Sequence, residues 1–125
     1  MSYTLGNGNI TFPDGSVWST SGASSASSNG YLKMPSGLIF QWMTAYTASG
    51  SSPNSTVTFP IAFPSACVCV IVDEGAASSW GGATVTNYAT NVPSTTGVTV
   101  NGVEVNTTNC YLYGGLEYKL FAIGY

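Results

Sequence analysis

The chain has 125 residues, room for one compact domain, and carries two lysines, five acids, no arginine and no histidine, for a net charge of −3. That balance excludes nucleic acid, whose binding depends on clustered cations, as well as an electrostatic membrane anchor, and the missing histidine excludes a Ser-His-Asp arrangement within the chain. Charged residues make up 6% of the sequence and apolar ones 44%, whereas a soluble monomer keeps roughly 25–35% of its surface charged. The exterior must therefore be hydroxyls and amides, or be covered, and homo-oligomerisation follows.

From the N-terminus, Ile10 to Trp18 places a Pro13-Asp14-Gly15 turn between two short β-prone pieces, and Ser19 to Asn29 is almost wholly Ser, Ala, Gly, Thr and Asn. The second piece reads as a linker. The opening lacks the basic start and apolar core of a signal peptide. Residues 1–29 thus separate from a domain over 30–125.

Tyr31 to Met34 and Leu38 to Met43 are apolar and aromatic runs joined by Pro35, Ser36 and Gly37, the pattern of a β-hairpin. In the second run Leu38, Phe40 and Trp42 share one face, and Ile39, Gln41 and Met43 the other. Both faces are mostly apolar, as in a strand buried on two sides, in a sandwich or against a neighbouring subunit.

Polar residues Thr47 to Ser55 follow, then a strand at Thr56 to Phe59 and a kink framed by Pro60 and Pro64. Ala66 to Val72 is the strongest strand and the longest apolar stretch, far short of the ~20 residues that span a bilayer. Its Cys67 and Cys69 should point to one face in parallel, poor geometry for a disulfide, and are expected as reduced, small core residues. A metal site at this CxC pair lacks the second ligand pair that zinc needs.

Asp73 to Gly82 reads as a loop, Ala83 to Ala89 as an alternating strand, and Asn91 to Gly97 as a loop. Val98 to Val105 contains Asn101-Gly102, suited to a tight hairpin turn or to a bulge in one longer strand. Asn106 to Asn109 is a polar turn, Tyr111 to Tyr113 a short aromatic piece, and Tyr118 to Tyr125 a closing strand. No segment has a 3.6-residue apolar period, so the chain is all-β, a β-sandwich.

The pieces NGYLKMPSGLIFQWM, TVTFPIAFPSACVCVIV, STTGVTV and the terminal FAIGY resemble, in that order, the C-terminal receptor-binding tip domain of bacteriophage tail fibres, of Mu-like and related tailed phages and phage-tail bacteriocins. The resemblance covers roughly residues 29–125, and TFPDGSV resembles segments that precede the tip at the end of the shaft. It implies a β-sandwich knob, assembled as a parallel homotrimer at a fibre end, binding host surface glycan, usually lipopolysaccharide, to mediate adsorption. It further implies a virion component assembled in the bacterial cytoplasm, in some members with a separate assembly chaperone; no cofactor is expected, and the short apolar stretches speak against membrane insertion.

Sugars are held by aromatic faces and by Asn, Asp or Glu bonding their hydroxyls. The candidate contacts are Asp73, Glu74 and Trp80 in one loop, Tyr88 and Asn91 in the next, and Asn106, Asn109, Tyr111 and Tyr113 in the last connection. Trp80 could instead cover a subunit seam, and Tyr111 and Tyr113 could be core or interface. Trp18, Trp42, Tyr46 and Tyr125, within or beside the motifs that carry the resemblance, are expected to be structural.

Two other readings stand beside the binder. A glycan hydrolase needs two carboxylates ~5–9.5 Å apart, whereas Asp73 and Glu74 are adjacent and should point apart, and Glu104 and Glu117 are each free to pair with lysine or face solvent. The chain reads as no enzyme. A purely structural trimeric cap is the other.

Overall fold

A computed structural model describes all residues except 1–3, 7–8, 16, 20–23, 35, 51–53, 76–83, 107 and 112–113. Among the described residues every regular element is a strand. β1 (Thr4–Gly6), β2 (Asn9–Thr11) and β3 (Val17–Ser19) form a three-stranded antiparallel meander. Its Pro-Asp-Gly turn is closed by Gly15 N–H donating to the Phe12 carbonyl at 2.9 Å.

The remaining elements are β4 (Ser24–Ser25), β5 (Gly30–Lys33), β6 (Ile39–Tyr46), β7 (Asn54–Thr58), β8 (Cys67–Glu74), β9 (Thr84–Thr90), β10 (Gly97–Asn106), β11 (Cys110–Tyr111) and β12 (Glu117–Gly124). Five make a sheet in the order β4-β5-β6-β12-β8, all antiparallel. The opening and closing motifs therefore lie side by side at its centre. The β5–β6 hairpin forms as its sequence predicts: Gly37 N–H donates to the Met34 carbonyl at 2.9 Å, with Gly37 at φ +87°, a conformation that glycine alone adopts freely. Pro35 lies outside the described residues. Ser24 and Ser25, within the Ser-rich segment, pair with Leu32 and Tyr31 as an edge strand.

The second sheet is built on β10, which pairs with β7 and then β11 along one edge and with β9 along the other. Asn101-Gly102 makes neither a hairpin nor a bulge; the register runs unbroken from Val100 to Asn106 against β9. Gly102 is there for room, because a Cβ would sit 3.1 Å from the Tyr88 ring and 3.2 Å from the Thr47 methyl.

The two sheets share one core. Ile39 and Met43 of β6 and Tyr118, Leu120 and Ala122 of β12 meet Val98 and Val100 of β10. Phe59 and Phe63, from the proline-framed kink, join it with their rings edge to face, centroids 5.2 Å apart. Gln41 lies in the middle of the inner face and is completely buried. Its amide donates to the Ile61 carbonyl at 2.9 Å and accepts from the Ile61 N–H at 3.0 Å, so the kink's backbone is satisfied by one side chain.

The outer face of the five-stranded sheet is ordered in cross-strand rows, because directly opposed residues share a face. Leu32, Phe40, Ile123 and Cys69 form one row; Trp42, Phe121 and Ile71 form the next. Thr44, Lys119 and Asp73 follow, then Tyr46 and Glu117. The face thus grades from apolar to charged along the strands.

The cysteine pair departs from expectation. The register slips between Ile123 and Gly124, which oppose Cys69 and Cys67, so Val68 is an extra residue. The slip reverses the alternation. Cys67 packs against the core while Cys69 is exposed on the outer face; both, with Cys110, are free thiols.

Candidate functional site

Two clefts lie on or beside the outer face, and the strand register explains both. The larger, of about 480 Å³, lies over the second and third rows, lined by Trp42, Phe121, Ile71, Asp73 and Lys119. Trp42 is fixed there: its indole N–H donates to the Ser27 carbonyl at 3.0 Å, and Asn29 Oδ1 accepts from the Thr44 N–H at 2.9 Å. Ser28, between them, forms one wall. The Ser-rich segment therefore borders this cleft.

The second cleft, of about 310 Å³, opens at the polar end of the sheet and is lined by Tyr46, Glu74, Tyr88, Gly115, Leu116 and Glu117. Antiparallel pairing of β6 with β12 sets Tyr46 opposite Glu117, and the Tyr46 hydroxyl donates to Glu117 Oε2. Tyr88 reaches across from the second sheet, its ring 5.6 Å from that of Tyr118 and its hydroxyl donating to the Glu117 carbonyl at 2.9 Å. Glu74 Oε1 accepts from the Thr86 hydroxyl at 3.3 Å. No described residue donates to the other oxygen of either carboxylate.

The tyrosines stay protonated in this setting. The hydrogen bond to Glu117, and then that carboxylate's charge, push the Tyr46 phenol above its usual value. Burial, followed by the charge of Glu74, pushes Tyr88 up to about 12. Burial also raises Tyr118, which shares a 2.8 Å hydrogen bond with Ser55. The cleft offers aromatic surface, protonated phenols and carboxylate acceptors, the groups that bind hydroxyl-rich molecules.

The candidate residues are dispersed. Asp73 and Glu74 belong to β8 and not to a loop, and alternation sends Asp73 to the larger cleft and Glu74 to the end cleft, where Tyr88 joins it. Asn91 borders a neutral groove with Thr56 and Thr99; its Oδ1 accepts from the Thr99 N–H and its own N–H donates to the Thr99 carbonyl. Asn106 Oδ1 accepts from the N–H groups of Thr108 and Asn109, closing a turn, and Asn109 is exposed. Tyr111 lies in the short strand β11. Trp80 and Tyr113 lie outside the described residues.

Tyr46 and Glu117 are cleft residues that did not stand among the candidates. They are 71 positions apart and meet only through the β6–β12 register. No local signal joins them: Tyr46 follows the opening run by three positions, Glu117 directly precedes the closing one, and only the register sets them opposite each other.

Residues 33–125 match the model of the family described as tail fiber protein gp53-like, C-terminal. Among solved structures, an N-truncated R1-type pyocin tail fibre is 32% identical, with a TM-score of 0.58 over 82% of this chain and 84% of that one. A longer R1 pyocin fibre from P. aeruginosa, comprising its C-terminal residues 323–701, is 31% identical, with a TM-score of 0.58 over 82% of this chain and 28% of that one. An N-truncated R2-type pyocin tail fibre has a TM-score of 0.63 over 82% of this chain and 37% of that one; at 21% identity it speaks for the fold alone. The uncharacterized protein MJ0347 of Methanocaldococcus jannaschii is 35% identical over 100 residues, 78% of this chain and 63% of that protein. The chain thus spans less than two thirds of that relative's length and of two of these three fibres. With most of its length inside the family match and its fold shared with pyocin fibres, the chain belongs to the gp53-like tail fibre proteins and is a C-terminal tail fibre domain.

Proposed function

We propose that this domain is the receptor-binding tip of a fibre, docking as a homotrimer onto host cell-surface glycan of the lipopolysaccharide class, without enzymatic activity. The observation that carries the reading is the end cleft, where two tyrosines and two carboxylates converge at the polar end of a rigid sheet. Binding groups are commonly placed where a rigid scaffold presents them. The graded outer face supports the trimer: Phe40, Trp42, Phe121 and Ile71 form an apolar patch of a kind that soluble monomers keep small. A copy covering the apolar rows would leave the polar end free. Three such tips bind with an avidity on the order of 10²–10⁴ above one site, so each site can be weak.

Glu74 and Glu117 share one cleft, which gives the hydrolase reading a specific footing. Each already accepts a hydroxyl hydrogen, from Thr86 and Tyr46, whereas hydrolysis needs one carboxyl to deliver a proton. Retention of the domain on Gram-negative cells or immobilised lipopolysaccharide, with no release of reducing ends, is the expected result. Failure to adsorb to any strain of a panel including the host would leave the structural-cap reading. Released reducing sugar would establish the enzyme.

A further inference from the structure

We infer that the cleft of Tyr46, Glu74, Tyr88 and Glu117 takes a neutral or amino-bearing sugar and turns away glycans that present phosphate or carboxylate at the contact. The inference rests on the host-glycan reading above and narrows its ligand.

The charge inventory drives it. The chain has two lysines and no arginine or histidine. Lys33 pairs with Ile39, at the opposite end of β6 from Tyr46. Along an eight-residue strand that separation is about 23 Å, roughly three Debye lengths in physiological salt. Lys119 stands two positions from Glu117 on the outer face, but its opposite number across the register is Asp73. Neither lysine lines the cleft. Asp73, Glu74 and Glu117 therefore face one nearby cation, and an anionic sugar would enter against uncompensated negative charge.

The hydrogen-bonding inventory points the same way. Glu74 and Glu117 each keep one oxygen that no described residue engages, and carboxylates accept only. The Tyr46 and Tyr88 hydroxyls already donate, to Glu117 Oε2 and to the Glu117 carbonyl. What the cleft has to offer a ligand is acceptors beside an aromatic face, since the Tyr46 side of the cleft is 58% exposed at that residue. Vicinal hydroxyls or an ammonium supply the matching donors. At about 310 Å³ the cleft is at the small end of ligand sites, the scale of one or two sugar rings.

The test is an array of bacterial polysaccharides and lipopolysaccharides of known composition, sorted into neutral, amino-bearing and acidic sets, probed with the full chain. Binding concentrated in the neutral and amino-bearing sets is expected. The isosteric double variant Glu74→Gln, Glu117→Gln should lose amino-bearing binders about tenfold or more, because charge-assisted hydrogen bonds become neutral ones. Tyr46→Ala, at an exposed ring, should weaken neutral and amino-bearing binders alike, and its unchanged melting temperature would show that folding is not the cause. Binding confined to acidic glycans, or undiminished in both variants, would overturn the inference while leaving the host-glycan reading intact. No binding to the array or to host cells would overturn both.

Discussion

On β12, Tyr118, Leu120 and Ala122 are buried against the second sheet, while Lys119, Phe121 and the residues beside them on β6 and β8 face the other way. The inner face is covered by the chain itself. The outer face carries side chains of similar kind, Phe40 and Phe121 with centroids 5.9 Å apart, Trp42 and Ile71, and the chain covers them only in part. Burying a large apolar side chain stabilises by about 1.5–3 kcal/mol, so a sheet with two apolar faces and one covering layer has a large stabilisation still available to it. That is the physical content of an oligomer contact. In the trimer proposed above, covering that face would also account for the few charges in the sequence.

A matched pair of truncations separates the two faces most directly. Leu120 is 2% exposed and Ile71 is 56% exposed, one residue row apart on the same sheet. Leu120→Ala should cost about 2–5 kcal/mol, lost methylenes plus a cavity. Ile71→Ala should change monomer stability by less than about 1 kcal/mol, in keeping with surface substitutions, yet shift the oligomer toward smaller species at a given concentration. Denaturant melts at low concentration measure the first, and sedimentation across a concentration series measures the second. Equal loss of stability without any change in assembly would mean that the outer face has no partner copy.

Gln41 probes the inner face alone. It is the polar residue in an otherwise apolar inner row, and it satisfies both backbone groups of Ile61. Gln41→Ala leaves that N–H and carbonyl without a partner, at about 1–3 kcal/mol for an unsatisfied buried group. A loss nearer zero, measured by denaturant unfolding, would show that water replaces the amide.

These residues mark what the sequence could and could not convey. Period-two patterning carried the strands, and Pro-Ser-Gly carried the hairpin, because both are local rules. The two apolar faces of Leu38 to Met43 were also legible, and the inner one, with Ile39 and Met43 in the core, is where the alternation put it. Gln41 could not be read, since its purpose is the Ile61 backbone 20 positions away. The Val68 slip was equally hidden: a bulge is a property of two strands, and nothing in CVC distinguishes an extra residue from a regular one. The cleft needs the same long-range register: Glu74 and Tyr88 stand among the candidates as residue types, whereas Tyr46 and Glu117 meet only through strand pairing. Asn91 and Asn106, chosen as loop amides, spend their Oδ1 on backbone N–H groups, a use that residue type alone does not separate from ligand binding.

Tyr88 ties the inner face to the cleft, and its titration leaves a weaker mark than either truncation. Tyr88 packs on Tyr118, donates to the Glu117 carbonyl and lies near Glu74; burial first, and that carboxylate second, push its phenol up to about 12. In the unfolded chain a tyrosine releases its proton near pH 10. Between pH 10 and 12 the folded form therefore holds a proton that the unfolded form has lost, and stability must fall as pH rises through that window. Below pH 10 this group contributes no slope, and above about 12 both forms are ionised and the slope ends. Tyr46 and Tyr118 are raised in the same sense, and burial raises the Cys67 thiol, so the decline begins somewhat lower and is shared. Tyr88→Phe should flatten the decline, measured as melting temperature from pH 9 to 12, without removing it, while lowering stability at neutral pH by roughly 0.5–1.5 kcal/mol for the lost hydrogen bond. An unchanged alkaline slope in that variant would mean that Tyr88 is as open to water as Tyr46, and that the cleft floor is not anchored to the core.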